Sequence, residues 1–134
     1  MKKSFTIIFI CFKLLSCSSG GDYNKELSGG YFFSAEGSDM HSIISHFAGG
    51  KDIPSNVISY DYNNDFIIAK QKPNKTDDPI YDTNPIYKLG RDKIYFWLVI
   101  NKQKICLGPL TENEFNAEKV KYNVPTDLQF EVVN

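Results

Sequence analysis

Ile94-Tyr95-Phe96-Trp97-Leu98-Val99-Ile100 is the most hydrophobic run of the folded part, bounded on both sides by charged and turn-forming residues. Its aromatic and β-branched composition suits a strand buried on both faces, and it falls far short of the about 20 apolar residues a membrane helix takes. The run predicts a central β-strand and locates the core. Just after it, Asn101-Lys102-Gln103-Lys104 turns the chain and Ile105-Cys106-Leu107 pairs back. Gly108-Pro109-Leu110-Thr111-Glu112-Asn113-Glu114-Phe115 then holds a helix start. Thr111 and Glu114 have the spacing of a reciprocal capping box, and Glu112 and Glu114 favour the positive end of the helix dipole. Phe115, Tyr122 and the stem of Lys119 form one stripe of a modestly amphipathic helix that ends before Pro125. Leu128 to Val132 alternates as a final strand.

Upstream of the central run, residues 72 to 91 carry Pro73, Pro79 and Pro85 among Asn, Asp, Thr and Lys. This is a long irregular loop, and loops longer than about 15 residues are usually functional or mobile. Within it, Tyr81 and Tyr87 either pack the loop down or meet a partner. Before it, Val57 to Tyr62 alternates, Asn63-Asn64 tolerates the positive φ of a tight turn, and Asp65 to Lys70 returns. The return strand is apolar on both faces, which predicts an interior position. Residues 27 to 47 read as another hairpin, with Tyr31, Phe33 and Ala35 on one face and Glu36-Gly37-Ser38-Asp39 at the turn. The expected fold is α+β: one antiparallel, meander-like sheet of roughly six or seven strands with one C-terminal-region helix packed on it. Residues 26–134 form its single globular domain.

The N-terminus has a different character. Met1-Lys2-Lys3 is positively charged, Ser4 to Phe12 is a short apolar stretch, and Leu14-Leu15-Ser16-Cys17 looks like a bacterial lipobox. A small residue at Ser16 lets a signal peptidase reach the bond before Cys17, whose thiol takes a diacylglyceryl group through a thioether. Lys13, at the edge of the apolar stretch, departs from the usual pattern. Residues 1–16 are expected to be a cleaved signal peptide, and residues 17–25, with Ser18-Ser19-Gly20-Gly21, a lipidated flexible tether. Acyl chains such as palmitate, at about 0.8 kcal/mol per buried methylene, would anchor the protein stably. No acidic run follows Cys17, so the default location is an inward-facing leaflet of the cell envelope, or the outer face of the cell membrane where there is only one.

Charge and cysteine usage narrow the partners. The 134 residues carry 15 basic and 16 acidic side chains, and Lys2, Lys3 and Lys13 would leave with the signal peptide. A mildly acidic, dispersed surface repels phosphate backbones and anionic lipid head groups, so it favours neither nucleic acid nor a polybasic membrane patch. Of the 3 cysteines, Cys11 is discarded, Cys17 is lipidated and only Cys106 stays in the domain. The fold must therefore stand on its core without an internal disulfide.

Constellations for catalysis are weak. His41 and His46, five apart, fall on opposite faces of a strand, and no cluster with zinc spacing accompanies them. Asp61 and Asp65 flank the Asn63-Asn64 turn, but the glycine and terminal glutamate of a calcium loop are missing. Cys106, with a histidine as base, would make a nucleophile, yet Ile105 and Leu107 argue for a buried thiol. No serine lies in a Gly-x-Ser-x-Gly elbow, and Asp77-Asp78 sits in the irregular loop, poorly held for acid–base work. No cofactor, metal or catalytic residue is expected.

The segments Gly21-Asp22-Tyr23, Leu27-Ser28-Gly29-Gly30-Tyr31, Ile53-Pro54-Ser55-Asn56-Val57, Phe66-Ile67-Ile68-Ala69-Lys70-Gln71 and Gly108 through Phe115 resemble a family of small bacterial lipoproteins known as domain of unknown function 3997. The resemblance covers nearly the whole mature chain. It implies a lipoprotein and carries no assigned activity, so it transfers no catalytic residues. The expected function is a non-enzymatic envelope protein, held to the membrane through Cys17, that binds a protein or small ligand with its long loop and first hairpin. An immunity or inhibitor lipoprotein acting on one toxin or enzyme is the alternative, and a small hydrolase is a third reading.

Overall fold

A computed structural model describes residues 22–37 and 40–133. Ser16 and Cys17, and with them the expected signal peptide and lipidation site, lie outside the described residues. The elements in chain order are β1 (Tyr23–Glu26), β2 (Tyr31–Glu36), β3 (Met40–Ser45), β4 (Val57–Tyr62), β5 (Phe66–Gln71), β6 (Tyr95–Ile100), β7 (Ile105–Leu110), α1 (Glu112–Lys121) and β8 (Glu131–Val132). The α+β class is as expected, with every strand pairing antiparallel.

The single expected sheet is two. One has the order β1-β2-β3 and the other β7-β6-β5-β4-β8. The physical reason lies in β6, where all six residues are buried. Trp97 and Val99 join Tyr31, Phe33 and Ile43 of the smaller sheet in one apolar cluster. Phe96, Leu98 and Ile100 join Phe115 of α1 in another. A strand with both faces apolar needs a layer on each side of its sheet, and one helix covers only one. Residues 27–47 supply the second layer. Each large side chain buried this way contributes roughly 1.5–3 kcal/mol.

Two irregularities adjust the faces. The β4–β5 register shifts between Val57 and Ser59, so Val57, Tyr60 and Tyr62 all pack against the cluster shared with the small sheet. That one-residue bulge interrupts the alternation expected over Val57 to Tyr62. The second shift, between Phe96 and Leu98 on β6, is taken up in β7 beside Gly108. A Cβ on Gly108, whose φ is +151°, would come within 2.3 Å of the Trp97 ring. Glycine at this position lets the indole lie against the backbone.

The ends of the domain depart from expectation. Residues 23–25, assigned to the tether, belong to β1, which pairs with β2 from Tyr23↔Ala35 to Glu26↔Phe32. All four side chains of β1 are exposed, so no apolar alternation announces the strand, and the edge of β2 determines it. The final strand shrinks to Glu131–Val132, because Leu128 and Phe130 turn toward the α1 cluster instead of a ladder. The helix cap is as predicted: Thr111 and Glu114 form the full reciprocal box. Among the described residues, no helix is long and apolar enough to cross a membrane.

Candidate functional site

The long loop between β5 and β6 is irregular over its whole length, and a buried glutamine anchors it. Gln71, the last residue of β5, is wholly buried. Its Oε1 accepts from Trp97 Nε1 at 2.8 Å, and its Nε2 donates to the Ser55 carbonyl at 2.8 Å and to the Tyr87 hydroxyl at 3.0 Å. One amide thereby ties the loop to both neighbouring elements, and a buried amide left unpaired would be costly. Beside it, the Tyr95 hydroxyl donates to the Gly90 carbonyl at 2.8 Å and accepts from Leu89 N at 2.7 Å. The guanidinium of Arg91 lies 5.2 Å from the Tyr87 ring centroid, pairs with Asp77 and donates to the Asn74 carbonyl.

Tyr81 and Tyr87, expected as possible partner contacts, are both half-buried with their hydroxyls engaged. The Tyr81 hydroxyl donates to Asp52 Oδ2 at 3.4 Å, while Asp52 Oδ1 accepts from Ser45 N and Oγ, each at 2.9 Å. Burial first, and then the Asp52 charge, raise the Tyr81 phenol well above its ordinary value. Burial also raises Tyr87, with the Gln71 bond and the Arg91 charge opposing it. The two tyrosines pack the loop down. What the loop exposes instead is aliphatic: Ile80 is 75% exposed, Ile86 85%, Leu89 54% and Ile94 46%. Ile80, Ile86 and Leu89 follow no helical or strand period and so were passed over, while Ile94, expected to open the buried central strand, lies just before β6 with its side chain exposed. Three apolar residues out of register in a polar loop, Ile80, Ile86 and Leu89, were the available signal.

A cleft of about 580 Å³ opens between the start of β4 and the base of the loop, lined by Asn56, Ile58, Lys72, Lys75, Arg91 and Asp92 among others. Lys72 and Lys75 are exposed and enter no ion pair among the described residues. Ile58 and Pro73, lining the cleft with Lys72 and Lys75, suit an anionic, partly apolar ligand.

The remaining candidates are structural. Cys106 packs against the core shared by the two sheets, and burial pushes its thiol up to about 12 against the opposing effect of Lys51. The charged groups acting on it are Lys51 and Asp52, and neither histidine is among them. Lys51 donates to the Gly108 carbonyl at 2.7 Å and lies 5.2 Å over the Trp97 ring. His41 packs at 5.6 Å from the core ring of Phe33, whereas His46 is exposed and stacks at 4.1 Å on Phe32. The two histidines therefore sit on opposite faces, as their spacing predicted. Asp61 accepts from Tyr62 N and from Gln129 N, each at 2.9 Å, tying the C-terminal segment to β4. Asn63 Oδ1 accepts from Asp65 N and Phe66 N at 2.8 Å, which makes the segment an Asx-type turn. Asp77 pairs with Arg91, while Asp78 Oδ1 accepts from Ile80 N at 3.0 Å. Among the described residues, no group of three or more His, Cys, Asp or Glu converges as metal ligands would.

No curated protein and no solved structure matches the chain. A family profile does match, over residues 29–134, which takes in every element from β2 onward. The chain belongs to the family described as protein of unknown function (DUF3997).

Proposed function

We propose that this chain is a lipid-anchored protein of the bacterial cell envelope whose folded head binds a protein or another ligand and performs no catalysis. The observation that carries this reading is Leu14-Leu15-Ser16-Cys17 behind a lysine-led apolar run. A cysteine so placed is the nucleophile for diacylglyceryl transfer, and two or three acyl chains hold a protein to a bilayer. The engagement of the polar side chains supports a binding role. Asp52, Gln71, Tyr87 and Tyr95 are each occupied in hydrogen bonds that hold the fold. The exposed surface of the long loop is aliphatic and cationic, with Ile80, Ile86, Leu89, Lys72 and Lys75 open to solvent.

The test is mass spectrometry of the full chain purified from bacterial membranes. A mature N-terminus at Cys17 carrying a diacylglyceryl group is expected, and Cys17→Ser should retain residues 1–16 and lose the lipid. An unmodified sulfur at Cys17, or a start elsewhere, overturns the anchor. Mild crosslinking in the membrane then tests the binding role. A single stoichiometric partner that loses activity when bound would point to the immunity or inhibitor reading instead.

A further inference from the structure

The position of β1 gives the anchored head an orientation. Tyr23 and Lys25 line one cleft with Tyr60 and Tyr62, and Lys25 Nζ lies 5.5 Å over the Tyr62 ring. Farther along, Asn101 Nδ2 bridges Ser28 Oγ at 2.8 Å and the Asn64 carbonyl at 3.0 Å. Residues 23, 25 and 28 thus follow 60, 62 and 64 in the same order, so β1 runs in the direction of β4. Tracing the chain back from Tyr23 leads toward the Val57 end of β4. Val57 pairs with Gln71, and Gln71 pairs with Tyr95. The chain therefore enters the domain at the end of the larger sheet from which the long loop leaves and to which it returns.

Fully extended, the stretch from Cys17 to Tyr23 spans roughly 20 Å. If Cys17 is lipidated, that end of the domain lies close to the bilayer. Three of the exposed aliphatic side chains are there, because Leu89 N donates to the Tyr95 hydroxyl, Ile94 precedes Tyr95, and Ile86 precedes Tyr87, which is bonded to Gln71. Lys72 and Lys75, at the start of the loop, are exposed and enter no ion pair among the described residues, in a chain that is otherwise mildly acidic. Aliphatic side chains flanked by lysines match the chemistry of an anionic bilayer interface.

Resting on the lipid-anchor reading, we propose that the long loop is a second, non-covalent membrane contact: Ile86, Leu89 and Ile94 enter the headgroup layer while Lys72 and Lys75 meet anionic lipid. The contact orients the head, with the Asn63-Asn64 and Asn101–Gln103 turns pointing away from the bilayer.

The experiment uses the full, lipidated chain in phosphatidylcholine vesicles containing a doxyl-labelled lipid, with and without phosphatidylglycerol. Ile86→Trp reports on the loop and Lys102→Trp on the opposite end; both positions are exposed, and the parent, whose only tryptophan is the buried Trp97, supplies the baseline. Doxyl quenching at position 86 should exceed that at 102 by about threefold or more. It should rise with phosphatidylglycerol and fall back in a Lys72→Gln/Lys75→Gln background. Equal quenching at the two positions in a chain that floats with the vesicles overturns the loop contact and leaves the anchor standing. A blue-shifted but unquenched Ile86→Trp also overturns it, since the loop would then be covered by protein. Failure of the chain to float overturns the anchor itself, and the loop proposal with it.

Discussion

Trp97 donates its indole N–H to the side-chain oxygen of Gln71 at 2.8 Å, and both side chains are wholly buried. The pair joins β6 to β5 on the face covered by the small sheet. Through Nε2, the same amide holds Ser55 and Tyr87. Gln71→Leu keeps the volume but leaves three polar groups without their partner. It is expected to cost about 2–4 kcal/mol. Urea denaturation should show a lower midpoint with an unchanged slope; a midpoint within error of the parent would mean the network contributes nothing.

Gln71→Glu adds a pH test at the same site. Burial would raise the carboxyl of the variant in the folded state above the about 4.3 of an unfolded chain. The neutral acid is then the form the fold accepts. Stability relative to the parent should be highest below about pH 4 and decline as pH rises through the folded value. A stability difference that is flat from pH 4 to pH 8 would contradict this.

Gly108→Ala places a methyl within 2.3 Å of the Trp97 ring, on a backbone with φ +151°. The indole is clamped between this strand and Lys51 and has no room to withdraw. A loss of about 2–3 kcal/mol is expected from overpacking and backbone strain together. Thermal unfolding is the direct measurement, and a melting temperature equal to the parent's would show that β7 relaxes freely.

The Cys106 thiol, pushed up to about 12 by burial, should react with disulfide reagents at pH 8 far more slowly in the folded than in the urea-unfolded protein. Because its folded value is raised, its contribution to stability is intact below the ordinary 9.0 and is lost as pH climbs from 9 toward 12. Tyr60, also raised to about 12 chiefly by burial, acts in the same direction. Denaturation at pH 8, 9 and 10 should show falling stability, less steeply in Cys106→Ala. Rapid labelling of the folded thiol at pH 8 would reopen the hydrolase reading.

Thr111→Ala removes the acceptor for Glu114 N from the capping box and should cost about 1 kcal/mol. Glu114 is held below its ordinary 4.5, first by its hydrogen bond to Lys88 and next by the Thr111 backbone. Its contribution is therefore present above pH 4.5 and disappears as the solution is acidified through its lowered value. Loss of helical circular dichroism on acidification, with an earlier onset in Lys88→Gln, is the expected result. An identical acid profile in the two proteins would count against the Lys88 contact.

Local chemistry was readable along the chain. The apolar run, the Asn63-Asn64 turn and the Thr111–Glu114 box each show a periodicity or pairing complete within a few residues. The capping box is as expected. The strand begins one residue late at Tyr95 and leaves Ile94 exposed, and the turn closes through the Asn63 side chain without the positive φ expected of Asn63-Asn64. The same holds for the opposite placement of His41 and His46, which follows from a strand's twofold alternation. The loop was legible as a loop. Its inward tyrosines and outward aliphatics were not, because what a side chain meets in an irregular segment depends on residues distant in sequence, such as Asp52 for Tyr81.

The amino-acid sequence by itself determined the α+β class, the buried central strand, the capped helix and the membership suggested by its short segments, since each is written in local spacing and composition. Only the tertiary structure decided that the strands divide into two sheets, that exposed β1 is a strand, and that Gln71 ties the loop to Trp97. Covering both faces of β6 is a property of the assembled layers. A fully solvated edge strand leaves no hydrophobic pattern, and a buried amide shows its worth only through partners 16 and 26 residues away.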